Sequence, residues 1–190
     1  MPSFPRFPAP LSGDGVQLRL AAERDIPEIL IAHQDDPQLF AQLRMLRPPS
    51  SAELGRRTEL ADTERALGAR LWLTILAPGS DECRGQIDVR DAELHYGRAD
   101  LDIWVAPEHR HRGLGSAALA LAGRWLIGEV GLARVQLFIE PGSGPMLATA
   151  AKAGFMREGV LRAYWRARDG RRDAEAWSLV TRDLETAPRT

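Results

Sequence analysis

The segment over residues 99–127 constrains the fold more than any other part of the sequence. It reads ADLDIWVA, then PEHRHRGLG, then SAALALAGRWLI. The first part is typical of a strand, and Pro107 ends it because proline has no N–H to donate to a neighbouring strand. The last part spaces its apolar residues for a helix with one buried face. A strand, a tight glycine-containing loop and a crossover helix therefore follow one another.

The other elements surround this unit in the order β-α-α-β-β-β-α-β-α-β-β. Strands are predicted at 16–22, 71–77, 83–90, 99–106 and 133–140, helices after Asp25, at 50–67, from 114 and at 144–153, and a closing hairpin around an Asp169-Gly170 turn. Three adjacent strands before the crossover helix indicate a mixed sheet, antiparallel at first and parallel around that helix. The predicted fold class is α/β, with about seven strands and four helices. We expect one domain over residues 14–184, with flexible tails at 1–13 and 185–190.

Two helix starts carry capping residues. Asp25 can cap the first helix, with Pro27 in its first turn, and Ser50 with Glu53 has the spacing of a capping box for the second. Gly154 stands where a short helix before it would end in a left-handed residue.

Charge and composition exclude several classes of partner. The net charge is −1, so the molecule has no overall field to gather nucleic acid, and no aromatic residues are interleaved in the basic loop. No run of 18 apolar residues predicts a membrane helix. The single cysteine, Cys83, excludes an internal disulfide and fits a reducing, cytoplasmic compartment. His109 and His111 lack a third ligand, so we expect no metal.

The basic loop resembles neither of the common nucleotide loops. It has no Gly-Lys-Ser/Thr, and a dinucleotide fingerprint starting at Gly113 would need glycine where Ala118 stands. One alternative is a basic turn that only precedes a helix. The other is an anion cradle, in which the glycines allow close approach to free N–H groups at the helix start, and Arg110 and Arg112 add charge-assisted contacts.

The whole segment resembles one known family. Arg110-x-x-Gly113-x-Gly115 matches the Arg/Gln-x-x-Gly-x-Gly/Ala signature of the GNAT family of N-acetyltransferases. LDIWVAPEHRHRGLG is similar to the family's fourth strand and pyrophosphate loop. IEPGSGPMLATAAKAGFMREGVLR resembles the next strand, short helix and Gly-Phe turn of the RimJ/RimL-like subgroup. With VQLRLAAERDIPEIL at the front, the resemblance covers about residues 16–182.

The resemblance implies that acetyl-CoA binds in a V-shaped gap between the family's fourth and fifth strands. Its pantetheine arm would pair with the fourth strand, and its pyrophosphate would meet the loop and first helical turn. The implied cofactor-binding residues are Ile103, Trp104, Val105, Arg110, His111, Arg112, Gly113, Leu114, Gly115, Ser116 and Ala117. The acetyl group would pass directly to an amine, aided by a backbone N–H of the fourth strand.

The sequence departs from the family pattern after the fifth strand. Ser143 stands at the usual asparagine position, where it could still cap the short helix and bond the pantetheine arm. Met146 and Ala150 stand where relatives carry the serine and tyrosine that protonate the leaving thiolate. Tyr164 and water are then the candidate acids. Strand alternation puts Tyr164 and Trp165 on opposite faces, so at most one of them would line the acceptor cleft.

Asp100 and Asp102 lie on the strand where the family often places an acidic base. Strand periodicity puts both on one face, where they either serve as base or simply face solvent or pair with an arginine. A lysine substrate, with a pKa of about 10.4, costs about 4–5 kcal/mol to deprotonate at pH 7, whereas an α-amine costs about 1–1.4 kcal/mol. Weak acid–base machinery therefore favours an α-amine.

Two functions remain at this point. The first is an acetyl-CoA-dependent N-acetyltransferase acting on a small amine or a protein or peptide N-terminus. The second is a non-catalytic acyl-CoA-binding regulatory module, in which Met146 and Ala150 mark lost chemistry. The resemblance also makes a homodimer a candidate assembly.

Overall fold

The computed structural model describes residues 3–8, 10–167 and 170–186. Its strands are β1 (Leu11–Gly13), β2 (Val16–Leu20), β3 (Leu71–Leu76), β4 (Gly85–Glu93), β5 (Arg98–Val105), β6 (Arg134–Ile139), β7 (Met156–Ala167) and β8 (Gly170–Val180). Its α-helices are α1 (Ile26–Asp35), α2 (Leu39–Gln42), α3 (Ser51–Ala66), α4 (Leu114–Gly128), α5 (Gly144–Lys152) and α6 (Thr181–Thr186). Short 3-10 turns cover Glu23–Asp25 and Pro107–His109.

The strands form one mixed sheet in the order β1-β2-β3-β4-β5-β6-β8-β7. Strands β1 to β5 are an antiparallel meander, β5 and β6 are parallel, and β6, β8 and β7 are antiparallel. The predicted mixed α/β architecture is confirmed. The described residues contain eight strands and six α-helices instead of about seven and four, because β1, α2 and α6 are only 3, 4 and 6 residues long and show no readable periodicity.

The two faces of the sheet differ in chemistry. On one face, β3, β4 and β5 present Leu73, Ile87 and Leu101 to a core that includes the apolar side of α4. Each buried leucine-sized side chain contributes about 1.5–3 kcal/mol to folding. The opposite face of the same strands carries polar and aromatic residues, and helices α1 and α3 cover only part of it. This second face holds a smaller apolar cluster around Ile29 and Leu54.

The N-terminal segment packs more closely than the flexible tail expected over residues 1–13. Phe4 and Phe7 are buried, and the rings of Phe7 and Trp125 lie edge to face with centroids 4.8 Å apart. Strand β1 pairs with β2. Burial of two phenylalanines gives this segment an apolar contact that its prolines did not reveal.

The capping predictions had mixed outcomes. The capping box of Ser50 and Glu53 is present at the start of α3. Asp25 does not cap α1 through its side chain. Instead its carboxylate is buried and accepts hydrogen bonds from Arg19 at 2.6 and 3.0 Å and from Thr74 at 2.6 Å. An internal guanidinium is a stronger partner for a buried carboxylate than a helix N–H.

Helix α5 ends as the sequence predicted, because Gly154 follows it with a φ of +89°.

No helix within the described residues is long and apolar enough to cross a membrane. These residues also contain no group of three or more histidine, cysteine or acidic side chains that could hold a metal ion. Asp169, predicted to lie in the closing turn, is outside the described residues.

Candidate active site

A V-shaped opening separates β5 from β6. The two strands pair only at their first three positions, from Arg98 with Arg134 to Asp100 with Gln136. Beyond that point, residues 101–105 pair only with β4, and residues 137–139 pair only with β8. One backbone edge of β5 is therefore available to an extended ligand. The family's fourth and fifth strands correspond to β5 and β6, because β1 adds a strand at the front.

The opening is a cleft of about 710 Å³, which we call the first cleft. Of the residues predicted to bind a cofactor, those that line it are Ile103, Trp104, Val105, Arg110, His111, Gly113, Leu114, Gly115, Ser116 and Ser143. Arg112 and Ala117 do not line it. They face a smaller depression beside β1, and the N–H of Ala117 already donates to the carbonyl of Gly113 at 3.0 Å.

The loop after β5 reverses the chain through two left-handed residues. His111 has a φ of +60° and Gly113 a φ of +79°. Helix α4 begins at once after Gly113, so the N–H groups of its first turn have no helical acceptor. The hydroxyl of Ser116 donates to the carbonyl of Gly113 at 2.8 Å, which closes this turn. The result is a set of free donors at the positive end of a helix, beside the cleft.

Arg110 has two partners within the protein. Its guanidinium donates from Nε to the carbonyl of Val105 at 2.8 Å and forms an ion pair with Asp36 at 2.7 Å. Burial opposes ionisation of Asp36, but the hydrogen bonds from Arg110 and from the Gln38 N–H, together with the nearby positive charge, outweigh it, so the pKa of Asp36 is lowered. The side chain thus ties the loop to β5 and to the end of α1 while it lines the first cleft.

Helix α5 forms the other wall of the first cleft. The half-buried side chain of Ser143 makes no cap hydrogen bond to α5, which differs from its predicted capping role and leaves the hydroxyl without a partner in the described chain. Met146 lines the cleft, whereas Ala150 is fully buried in the core. Neither side chain can supply a proton.

Sequence reasoning missed Lys152, the single lysine of the chain. It ends α5 and lines the first cleft, and its Nζ lies 3.6 Å from where a Cβ on Gly113 would stand. It therefore adds a positive charge next to the free N–H groups of the loop. A lysine two residues before the Gly-Phe turn was a readable signal, but only the packing of α5 on α4 brings it to this loop.

A second cleft, of about 880 Å³, opens on the polar face of the sheet. It lies under α1, α3 and the α2–α3 connection. Both clefts are lined by Leu43, Arg44, Asp102 and Trp104. The two clefts therefore adjoin at these four residues, which form a shared wall.

Asp100 and Asp102 lie on the same face, as their spacing predicted, and both line the second cleft. Asp102 accepts from Arg90 Nε at 2.5 Å and also from Arg44. Asp100 accepts from the amide of Gln136 at 2.7 Å and lies 3.6 Å from Arg90. Burial raises the pKa of Asp100, although Gln136 and Arg90 act in the opposite direction. The two aspartates thus contact arginine and also line the second cleft.

Tyr164 and Trp165 both line the second cleft, so the prediction that only one could do so is wrong. Between the pairs Leu161–Ala174 and Trp165–Arg172, three residues of β7 face one residue of β8, and Ala163 within this bulge has a φ of +52°. The bulge breaks the alternation of side chains. Tyr164 packs on Phe138 with ring centroids 4.7 Å apart, and burial raises the pKa of its hydroxyl.

Cys83 is buried away from both clefts. Burial raises the pKa of its thiol to about 12, and its Sγ lies 3.6 Å from the carbonyl of Gly85. A thiol in this state is not a nucleophile at neutral pH. This agrees with its predicted role as a small apolar residue.

Comparison with known proteins decides the family. The model of the acetyltransferase (GNAT) domain matches residues 16–156. The chain belongs to the GNAT acetyltransferase family. It is therefore an N-acetyltransferase, and family membership supports acetyl-CoA as its cosubstrate.

Relatives of the ribosomal-protein acetyltransferase type recur among the similar proteins. The chain is 26% identical over 175 residues to the protein named "Putative ribosomal N-acetyltransferase YdaF" of Bacillus subtilis, with 90% of this chain and 93% of that protein covered. RimJ of Mycobacterium smegmatis, solved with CoA-disulfide, has a TM-score of 0.74 and 23% identity, over 92% of this chain and 85% of that one. RimL, a ribosomal L7/L12 α-N-protein acetyltransferase solved with coenzyme A, has a TM-score of 0.74 and 15% identity, over 90% and 97% of the two chains.

Proposed function

We propose that this protein transfers an acetyl group from acetyl-CoA to the α-amine of a peptide or protein N-terminus. The observation that carries the proposal is the wall shared by the two clefts, which includes Asp102 and Trp104. A donor in the first cleft and an amine in the second can react there without a covalent enzyme intermediate. The similarity to ribosomal-protein acetyltransferases supports a protein acceptor.

The first cleft fits acetyl-CoA by its own geometry. The free edge of residues 101–105 suits a pantetheine arm, and the N–H groups of residues 114–116 with Lys152 suit a pyrophosphate. A Cβ on Gly115 would lie 3.4 Å from Thr149 and 3.5 Å from Val105, which are ordinary van der Waals contacts, so the protein itself has room for a side chain there. We interpret the lack of a side chain at Gly115 as space for the ligand.

When bound, acetyl-CoA supplies a thioester whose carbonyl carbon bonds to the amine nitrogen while the C–S bond breaks, and the amine gives up one proton. In our proposal Asp102, at the shared wall, accepts a hydrogen bond from the amine and orients it. Asp100 receives the proton through water, because burial raises its pKa and Gln136 holds its other oxygen.

The strength of this base favours an α-amine over a lysine side chain. Both aspartates contact arginine, so neither is a strong base. An α-amine needs about 1–1.4 kcal/mol for deprotonation at pH 7, against about 4–5 kcal/mol for lysine.

Tyr164 is the remaining side-chain candidate for protonating the thiolate. Its raised pKa keeps it protonated, but it lines the second cleft only, so a water must relay its proton.

The test measures thioester consumption with matched peptides that offer either a free α-amine or only a lysine side chain. We expect turnover of the α-amine peptide and slower turnover of the lysine peptide. Asp100→Asn should lower kcat by about 10²-fold or more with little change in KM, and should remove the fall in kcat at low pH that protonation of this carboxyl causes.

Asp62→Asn is the matched control. The side chain of Asp62 contacts Arg65 on α3, is largely exposed and lines neither cleft, so this substitution should leave kcat within about twofold. An unchanged pH profile in both Asp100→Asn and Asp102→Asn would remove the aspartates from the mechanism. Stabilisation by CoA without turnover of any amine would favour the regulatory-module alternative instead.

A further inference from the structure

Arg57 carries a charge that no carboxylate neutralises by direct contact within the described chain. It projects from α3 and lines the second cleft. One guanidinium nitrogen donates to Gln86 Oε1 at 3.0 Å, and the group stacks on the ring of Trp72 at 4.2 Å from its centroid. Burial lowers the pKa of Arg57, although it stays ionised at neutral pH. Its guanidinium is therefore fixed in direction and has donors to spare.

Apart from the ion pair of Arg47 with Glu53, the remaining charges of the second cleft lie at two ends. At one end Arg90 is shared by three carboxylates, and Arg44 pairs with one of them, Asp102. At the other end Arg57 and Arg70 stand on the same Trp72 ring with one carboxylate, Asp88, which is fully engaged by Arg70 at 2.8 and 2.5 Å. The contacts around Arg90 are with Asp91, Asp100 and Asp102. The cleft thus offers a negative end for an amine and a positive end for an anion.

Two buried polar atoms at the positive end also lack partners. Trp72 Nε1 and His33 Nδ1 have no hydrogen-bond partner among the described residues, and both residues line the second cleft. Burial lowers the pKa of His33 against the opposing effect of Asp36, and the charge of Arg57 acts in the same direction as burial. His33 and Arg57 both line the second cleft. Buried polar atoms without a partner are rare unless a ligand or water completes them.

The sheet sets the distance between the two ends. Trp72 pairs with Asp88, and Asp88 pairs with Asp102, so the three lie in one row across β3, β4 and β5. Strands are about 4.8 Å apart, which puts Trp72 roughly 10 Å from Asp102. A free amino acid is too short to span this separation. A peptide advances about 3.3 Å per residue, so the side chain of its second or third residue reaches the positive end.

We infer that Arg57, with Trp72 and His33 beside it, binds an acidic side chain at the second or third position of the acceptor peptide. The inference rests on the proposed function, since it takes the amine to lie at Asp102. It assigns to this protein a preference for acidic N-terminal segments. An aspartate or glutamate there would accept charge-assisted hydrogen bonds from Arg57 and a further one from the Trp72 indole.

The experiment compares two peptides that differ only in having Glu or Gln at positions two and three. Acetylation kinetics give kcat/KM, and calorimetry with CoA-saturated protein gives peptide affinity without turnover. We expect the Glu peptide to be preferred by about ten- to hundredfold, mainly through KM, as for a desolvated charge-assisted hydrogen bond. Arg57→Gln should reduce this ratio to near one, and Arg57→Lys, which keeps the charge but not the planar fork, should give an intermediate ratio.

Arg56→Gln is the matched control, because Arg56 is the preceding residue of the same helix, is exposed and does not line either cleft. It should keep the wild-type ratio. Equal affinity and equal turnover of the two peptides by the wild type would overturn the inference and leave the proposed function standing. Tighter binding of the Glu peptide without acetylation of any amine would support the subsite and overturn the proposed function.

Discussion

Gly113 and Gly115 are two residues apart, and each lacks a side chain for its own physical reason. Gly113 has a φ of +79°, a conformation that an L-residue adopts only at a cost, and it lets the chain turn into α4. Gly115 is inside the helix with ordinary backbone angles, and a Cβ there would make only ordinary contacts. The first glycine serves the fold, and we expect the second to serve the ligand.

These two glycines give opposite predictions. Gly113→Ala should lower the free energy of unfolding by about 1–2 kcal/mol, because alanine must adopt a left-handed conformation. Gly115→Ala should leave that free energy unchanged or raise it by up to about 1 kcal/mol, because alanine favours the helix, yet it should weaken CoA binding. Denaturant unfolding and CoA titration measure the two effects. Wild-type CoA affinity in Gly115→Ala would contradict our interpretation of that position.

Strands β6, β8 and β7 are joined by side chains as well as by backbone pairing. Glu158 on β7 accepts from Arg134 on β6 at 2.7 and 2.5 Å and from Ser178 on β8 at 2.7 Å. These hydrogen bonds, above all those of Arg134, lower the pKa of Glu158 to about 2. One carboxylate therefore connects three strands on the side of the sheet beyond the V.

The pKa of Glu158 predicts how stability depends on pH. The folded pKa lies below the unfolded value of about 4.3, so the contribution is present above about pH 4.3 and is lost as pH falls towards 2. Because the side chain is almost half exposed, we expect Glu158→Gln to cost no more than about 1 kcal/mol at pH 7. Thermal unfolding from pH 7 to pH 2 should show the wild type and the variant converging.

Glu59→Gln, an exposed position on α3, is the control for the loss of one charge. It should leave the unfolding temperature nearly unchanged at every pH. A constant difference between Glu158→Gln and the wild type down to pH 2 would mean that the carboxylate charge is not what Arg134 stabilises.

The V divides the whole molecule into two parts that meet at few places. The sheet continues across it only through the three residue pairs at the base of β5 and β6, and α4 packs across both parts. A ligand in the first cleft would contact β5 and α4 on one side and α5 on the other. Its binding should therefore stabilise the junction of the two parts.

Amide hydrogen exchange can measure how ligand binding stabilises the junction of the two parts. With saturating CoA we expect slower exchange in segments 101–105 and 111–116, because free N–H groups there gain acceptors. Segments of β2 and β3, which are already paired on both sides, serve as the internal control and should not change. Protection spread evenly over all strands would argue for global stabilisation without contacts at the V.

The elements near the loop were readable because their signals are local. The alternation of β5 put Asp100 and Asp102 on one face, and the glycines of the loop marked its turn into α4. The bulge that brings Tyr164 and Trp165 to the same cleft was not readable, because it depends on how β7 pairs with β8. Ala163 at the bulge has a positive φ, but alanine is not a residue type that indicates such a conformation in a sequence.

The sequence by itself determined the mixed sheet, the cradle of N–H groups at α4 and the family, because periodicity, glycine and proline act over a few neighbouring residues. Only the tertiary structure decided which charges meet. Arg44 contacts Asp102 across 58 positions of sequence, and Arg57 contacts Gln86 across 29. These contacts depend on how the helices pack on the sheet, and no local sequence pattern specifies that packing. Within the described residues, the same packing leaves Arg57 in the second cleft without a contacting carboxylate.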